Sequence, residues 1–397
     1  MSTLDTLNPT RVDPLVPAAV FARLRETEPV SKVRMPGGQV AWLVTRHDLI
    51  REVLGNPAFS ADFFHFALLT PDADTENKIP GMFNRMDAPE HTRYRKALQR
   101  PFTAPAIARL RPQIERIVAV TLDECSVKGR NVDFVADFAL PIPSLVICEL
   151  LGVPYADREQ FHRWSQIIMD LGASPEDSHE ARTEMPAYIA GIARQYRVRE
   201  GTGLISDLVR DHGDEFTDEE IGGLGFELLL AGHETTANMM SLSALVAMTN
   251  PEARDLFTRG ATDAELDVAI RELLRYLSIT HMSPLRRTTR SGLVVGGIEF
   301  AEGDYVCCHV PAANRDPQVW SDADELKLDR KPEPHLAFGF GVHLCLGQAL
   351  ARLELQVALP AFFGRFPEAS LATDLDDLRF RTEMFVYGLH ALPTTLY

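Results

Sequence analysis

The ten residues Phe338-Gly-Phe-Gly-Val-His-Leu-Cys-Leu-Gly347 hold one cysteine between glycine-bearing turns and an apolar-periodic segment. Leu346, Leu350, Leu353 and Val357 recur at helical spacing, which predicts that Cys345 lies at or just before a helix N-terminus. Unpaired backbone N–H groups and the positive end of the macrodipole favour an anion there, so the thiol is expected to lose its proton more readily than a free cysteine. Such a thiolate is a ligand or a nucleophile. A nucleophile needs a separate base and an orienting group, and none can be assigned to Cys345. Gly339, Gly341 and Gly347 let the backbone bend tightly and approach something flat, while Phe338 and Phe340 supply apolar cover.

A second unusual stretch is Ala231-Gly-His-Glu-Thr-Thr236. It sets a glycine, an acid and two hydroxyls where a buried helix wants leucine, and small residues there permit a bulky group to lie against the backbone. Glu234 and Thr235 are placed to relay protons; alternatively, the hydroxyls bond back to the preceding turn. A helical zinc-protease pattern is excluded, because its second histidine would fall at Ala237. His91 and Arg95 lie four apart on one helical face, and Glu272 and Arg275 three apart on another. Taken alone, each pair reads as a solvated surface contact.

These groups need elements to hold them. Thr217-Asp-Glu-Glu220 is a capping box opening an apolar run that stops at Asn250-Pro251, which predicts a helix of about thirty residues, about 45 Å long. Val30 to Met35 and Val40 to Thr45, around Pro36-Gly-Gly38, predict a hairpin, followed by a short helix from Asp48 to Leu54. Phe59 to Phe83, with Phe63, Phe64 and Phe66, has no clean period and is expected to be an irregular loop. Pro105–Glu124, Leu140–Leu151, Asp157–Met169 and Glu184–Arg199 read as helices, with Gly172–Ser178 as a polar loop and candidate lid. Leu293 to Val310 predicts short strands broken at Gly296-Gly297 and Gly303, and Met384 to Pro393 a last small hairpin.

Composition narrows the function. Across 397 residues, 40 basic and 56 acidic side chains leave a net charge of -16. This argues against a general nucleic-acid binder and against an anionic membrane surface. Yet Arg85 to Arg116 carries eight basic residues (85, 93, 95, 96, 100, 109, 111, 116) against three acidic ones (87, 90, 115), a reversal that suggests a docking face for a negative partner. Five cysteines without zinc-like spacing, and no basic-then-apolar leader in Met1–Arg11, point to a reducing cytoplasm. The most apolar window, Gly225–Met248, is interrupted by Glu227, His233, Glu234 and Asn238 and is a poor membrane span.

As it stands, Phe-x-x-Gly-x-His-x-Cys-x-Gly resembles the haem-binding loop of the cytochrome P450 family. His91/Arg95, Ala-Gly-x-Glu-Thr, Glu272-x-x-Arg275 and the cysteine loop follow the order of that family's signature over roughly residues 85–350. The resemblance implies one large domain over 1–397, mainly α with small β-sheets at one edge, holding haem b (iron protoporphyrin IX) between the long central helix at Ala231, Gly232 and onward and the loop of Phe338, Gly339, Cys345 and Gly347. It implies that Cys345 is the axial thiolate on iron, and that His91, Arg95, Arg287 and His343 pair with the haem propionates. One-residue alternation along a strand would send Arg287 and its neighbour Arg286 to opposite faces. Glu272 and Arg275, with Arg330 as a possible third partner, would form a buried network, reversing the surface reading. Glu234 and Thr235 would deliver protons as O2 is split over an apolar small-molecule substrate. No flavin or dinucleotide segment fits within the chain, so a ferredoxin, served by a ferredoxin reductase, would supply electrons near Arg93–Arg116. The resemblance further suggests hydroxylation or epoxidation of a polyketide, macrolide or other specialised metabolite, as in antibiotic biosynthesis. The alternatives are a peroxide-driven peroxygenase, a reductase of small nitrogen oxides, and a haem-binding protein without turnover.

Overall fold

The computed structural model describes residues 6–8, 10–63, 66–69, 78–382 and 384–397, with the backbone alone at 66, 67 and 155. Thr217 Oγ1 accepts the Glu220 N–H at 3.1 Å and Glu220 Oε2 accepts the Thr217 N–H at 2.8 Å, closing the predicted capping box. A cap of this kind is worth about 1 kcal/mol. It opens a 32-residue helix, Asp218–Thr249. Every residue from Ile221 to Leu230 is buried, the signature of a helix surrounded by protein on all sides. Its end is fixed by Asn250, which leaves the helical conformation and caps the next helix by accepting the Ala253 N–H at 3.0 Å.

In chain order the helices are α1 (Ala19–Thr27), α2 (His47–Gly55), α3 (Phe66–Leu69), α4 (Glu90–Gln99), α5 (Ala104–Ala108), α6 (Arg111–Lys128), α7 (Pro141–Leu151), α8 (Arg158–Met169), α9 (Pro175–Tyr196), α10 (Gly203–His212), α11 (Asp218–Thr249), α12 (Pro251–Thr258), α13 (Asp263–Leu277), α14 (Val310–Ala313) and α15 (Gln348–Arg365). Helix α11 runs through the centre and packs on α7, α9, α12, α13 and α15. Gly223 allows the loop at Pro80 to lie directly on it, since a Cβ there would fall 1.7 Å from the Pro80 carbonyl oxygen.

The strands are β1 (Val30–Arg34), β2 (Val40–Val44), β3 (Phe59–Ser60), β4 (Asn131–Asp133), β5 (Leu285–Thr288), β6 (Leu293–Val295), β7 (Ile298–Phe300), β8 (Tyr305–Cys308), β9 (Ser370–Leu371) and β10 (Pro393–Thr395). They form a five-stranded sheet ordered β1-β2-β8-β5-β3, a three-stranded sheet β4-β10-β9 and a pair β6-β7. The β1–β2 hairpin pairs Val30 with Val44, as its sequence predicts, and β2 runs parallel to β8. The fold is thus mainly α with small sheets.

Four expectations change. Pro105–Glu124 falls into two helices, α5 and α6, parted at Arg109 and Leu110, and Phe59–Phe83 holds β3 and α3 as well as irregular backbone. The polar segment Gly172–Ser178 is only partly loop: Ser174 accepts the Asp177 N–H at 3.0 Å and Pro175 starts α9, which extends the helix nine residues before Glu184. A serine cap followed by proline at the first helical position is a start signal that outweighs local polarity. The tail is not a simple hairpin: Phe380 bridges Leu389, but Met384 bridges Asp170, Val386 bridges Thr280, and the only strand in this region among the described residues, β10, pairs with β4 and β9. Phe63 packs on the core; Phe64 and the side chain of Phe66 lie outside the described residues.

Candidate active site

Cys345 is set by its loop. Its N–H donates to the Phe338 carbonyl at 2.9 Å, and the Gly339 N–H donates to Leu336 at 2.8 Å, folding the segment into a tight return before α15. Gly341 sits at φ +73, and a Cβ there would approach the Leu54 carbonyl to 2.6 Å, so the turn locks against α2. Gly347 is the N-cap of α15. The Cys345 sulfur opens onto a cavity of about 310 Å³ that is also lined by Phe338, Gly339, Gly347 and His343. Phe340 is turned away instead, packing under the Arg51 guanidinium at 4.7 Å.

The thiol differs from expectation. Burial pushes it above the ordinary cysteine range, although the N–H groups of Gly347 and Gln348 and the charge of Arg95 pull the other way. The helix terminus is present, but desolvation outweighs it.

Across the cavity stands α11, contributing Ala231, Gly232 and Thr235. Thr235 Oγ1 donates to the Ala231 carbonyl at 2.7 Å, the back-bond that mid-helix hydroxyls commonly make. Glu234 is not in the cavity wall. It is buried, and its Oε2 accepts from Arg381 Nη1 at 2.7 Å while Oε1 has no partner. Helical geometry explains the split, since consecutive positions are rotated by about 100°.

At the cavity's edge Arg95 lines the wall and donates from Nη2 to the Leu344 carbonyl at 2.7 Å. His91 lies just behind, its ring 4.3 Å from that of His343. His91 Nε2 is buried without a partner. Burial, then the charge of Arg286, holds His343 down at about 3, and His91 is also lowered, by burial and then Arg95. Arg286 is the buried member of its pair, and Arg287 is exposed on the other face of β5 with its guanidinium 5.8 Å from the Tyr305 ring. Alternation along the strand therefore turns Arg286, not Arg287, toward the two histidines. Asp87 is the carboxylate near this cluster, and its oxygens are engaged by Ser60 Oγ and the Ala61 N–H.

His91, Arg95, Arg286 and His343 thus form a donor-rich corner with an orphaned buried nitrogen, beside a cavity between a cysteine and a glycine-bearing helix face. This donor set fits a planar macrocycle carrying two carboxylates. A Cβ on Gly347 would meet nothing within 4 Å, so the loop backbone there lies open to such a ring.

Glu272 and Arg275 form a buried fork, with Arg275 Nε to Glu272 Oε2 and Arg275 Nη2 to Glu272 Oε1 both at 2.7 Å. Arg330 Nε reaches Glu272 Oε1 at 3.0 Å, and Arg275 Nη1 donates to the carbonyls of Asn314 and Ala323. The network ties α13 to the irregular path leading into the cysteine loop. Of the basic run, Arg93 pairs with Glu220 at 2.8 Å, Arg111 with Asp263 at 3.3 Å, and Arg95 is turned inward. Lys96, Arg100, Arg109 and Arg116 are exposed.

Four further residues enter the site or its support. Arg286 was signalled by strand alternation. Glu227, on the cavity wall, and Glu354, buried in the wall from α15 with Oε2 unpartnered, are each signalled by an acid inside an apolar helical stripe. Arg381 carries no local signal, because its partner is distant in sequence.

A family model described as Cytochrome P450 matches residues 266–386. Cytochrome P450-SU2 of Streptomyces griseolus is 41% identical over 382 residues, 96% of this chain and 94% of that protein. Vitamin D3 dihydroxylase of the same organism is 38% identical over 380 residues, 94% of this chain and 93% of that protein. Among solved structures, CYP105P1 in complex with filipin I superposes with a TM-score of 0.94 at 35% identity, covering 100% of this chain and 99% of that one.

Proposed function

This chain belongs to the cytochrome P450 family and is a haem b monooxygenase acting with O2 on a small molecule; we propose that it hydroxylates or epoxidises an apolar specialised metabolite in the cytoplasm, with electrons from a ferredoxin and its reductase. The observation that carries the reading is the opening of the Cys345 sulfur onto the cavity opposite Ala231, Gly232 and Thr235. When bound, haem supplies the oxygen chemistry through its thiolate-ligated iron.

The chain's own residues hold, exclude and protonate. Cys345 is the ligand, and Arg95, His343, His91 and Arg286 hold the carboxylate edge of the cofactor. Phe83, Ile147, Leu228 and Met239 keep water from the reacting carbon. Thr235 holds a hydroxyl at the cavity wall, ready to donate once it leaves the Ala231 carbonyl. Glu234 passes a proton to that hydroxyl after exchanging its bond with Arg381. A relative named vitamin D3 dihydroxylase supports hydroxylation as the outcome.

Electron entry is assigned to the face around Lys96, Arg100, Arg109 and Arg116. The middle of α4 lies against the cysteine loop through Arg95, α5 packs on α15, and Val342 in the loop is 69% exposed. Raised salt is expected to slow transfer from an acidic donor. Among the described residues no helix is long and apolar enough to cross a membrane.

The test is the absorption spectrum of the dithionite-reduced protein under carbon monoxide. A strongly red-shifted Soret band is expected from a cysteine thiolate. A band at the position of histidine-ligated haem, or no haem after expression with ample supply, would overturn the assignment.

Peroxide-driven oxygenation is the second reading, favoured by one observation: Glu234 faces Arg381 and not the cavity. Product formation from hydrogen peroxide that outpaces the ferredoxin-driven reaction would decide for it.

A further inference from the structure

The α11 wall of the cavity is apolar apart from Thr235 and Thr236 until, one turn before Ala231, it presents a carboxyl. Glu227 is 6% exposed and lines the cavity. Its Oε2 accepts the Asn84 N–H at 3.2 Å, tying the turn Phe83–Arg85 to the helix. Asn84 lines the same stretch, and its residue is exposed where Glu227 is buried.

We propose that Asn84 and Glu227 form the polar anchor of the substrate site and that the substrate is an apolar molecule bearing a hydroxyl group, which donates to the Glu227 carboxyl and accepts from the Asn84 amide. The proposal rests on the monooxygenase reading and deepens it.

The state of the acid selects the class. Burial pushes the Glu227 carboxyl up to about 8, against smaller opposing pulls from the Asn84 N–H and then Arg85. The acid is therefore largely neutral near pH 7, and an ammonium group would find no counter-charge in it. A neutral hydroxyl needs none. It can also satisfy both partners, because an alcohol donates once and accepts twice while an amide offers both roles.

Position adds a length. Glu227 precedes Ala231 by four residues and Thr235 by eight, about 6 Å and about 12 Å along the helix axis. The carbon that reacts opposite those two residues therefore lies roughly 6–12 Å from the anchored hydroxyl. A substrate whose only polar group adjoined the oxidised carbon would leave Glu227 facing hydrocarbon, which is costly.

The rival role for Glu227 is purely structural, anchoring the Phe83–Arg85 turn. Comparing a ligand that donates with one that cannot separates the two, since anchoring the turn does not depend on the ligand's proton.

The experiment titrates the ferric haem-loaded protein with decan-1-ol and with 1-methoxydecane, which retains an acceptor oxygen but cannot donate, following the Soret shift on ligand entry. A hydrogen bond to the largely neutral carboxyl predicts that the alcohol binds about 3-fold to 10-fold more tightly. That advantage persists in Glu227→Gln, whose amide oxygen still accepts, and vanishes in Glu227→Leu, while Asn84→Ala weakens both probes alike. Equal binding of the two probes, binding of neither, or an advantage that survives in both Glu227 variants overturns the hydroxyl anchor while leaving a loaded monooxygenase. Loss of the thiolate band in the carbon monoxide spectrum of the wild type overturns both readings together.

Discussion

Arg381 Nη1 donates to Glu234 Oε2 across 2.7 Å, joining two side chains that are 7% and 2% exposed and 147 residues apart in sequence. The contact fastens the C-terminal segment to the middle of α11 and turns the acid of the Ala231–Thr236 stretch away from the cavity. Asn238 Nδ2 holds the same turn by donating to the Glu234 carbonyl at 2.8 Å.

Removing the guanidinium strands a buried carboxylate. Arg381→Met is expected to destabilise the protein by about 3–5 kcal/mol, the usual penalty for breaking a buried pair from one side. Adding Glu234→Gln to it should restore a large part of that loss, because the stranded charge is gone. Urea unfolding of the haem-loaded single and double variants checks this; a double variant no more stable than Arg381→Met alone would show that the pair's charge is not what matters.

Glu272→Gln tests the second buried network. It removes the charge that balances Arg275 and Arg330, both held within 3.0 Å. The expected loss is again about 3–5 kcal/mol, accompanied by reduced haem content because the stretch leading to the cysteine loop loosens. Arg275→Lys should recover little, since one ammonium cannot replace a fork that also reaches the carbonyls of Asn314 and Ala323. Unfolding midpoints and haem-to-protein ratios measure both effects.

Local signals carried the elements and long-range ones did not. The capping box at Thr217, the Pro36-Gly-Gly turn and the Gly296-Gly297 turn each act within a few residues, so α11, β1–β2 and β6–β7 lie where their sequences point. The cysteine loop was legible because its glycines and its helix start are contiguous. What a sequence window does not contain is which buried charge meets which. Glu272–Arg275 is indistinguishable from a surface pair until tertiary packing covers it, and Glu234 reads as facing the cavity until Arg381 arrives from the far end of the chain. The Cys345 thiol shows the same limit, because helix-terminus stabilisation is local whereas desolvation belongs to the whole fold.

The two arginines of β5 should part company. Arg286 is buried toward His91 and His343, and Arg287 faces outward, so Arg286→Ala is expected to speed haem loss to apomyoglobin about 10-fold or more while Arg287→Ala stays within about twofold. Equal rates for the two variants would return the cofactor's carboxylate edge to His91, Arg95 and His343 alone.

Thr235→Ala removes a cavity-wall hydroxyl whose bond to the Ala231 carbonyl lies inside the helix, so the fold should be spared. Substrate binding, read from the Soret shift, is expected to change by less than about threefold, and reducing equivalents to appear as hydrogen peroxide instead of product. Thr235→Ser should restore coupling. Tightly coupled turnover in the alanine variant would remove Thr235 from proton delivery.

Acid stability should depend on His281. Its Nε2 bonds the Met384 carbonyl at 2.8 Å, so that nitrogen carries the proton, and Nδ1 is buried without a partner. Burial, with a smaller contribution from Arg11, lowers its pKa from the ordinary 6.5 to about 4, against the opposing pull of the Met384 bond. Between those values the unfolded chain binds more protons than the folded one, so stability rises with pH through the window; it is fully present above 6.5 and lost as pH falls toward 4. For a side chain this buried the loss amounts to about 3 kcal/mol. His162 and His335 are lowered to about 4 as well and give a background slope in the same direction. The difference between wild type and His281→Gln isolates the one residue: urea midpoints measured from pH 7 down to pH 4.5 should fall less steeply in the variant, and parallel profiles would place the acid sensitivity elsewhere.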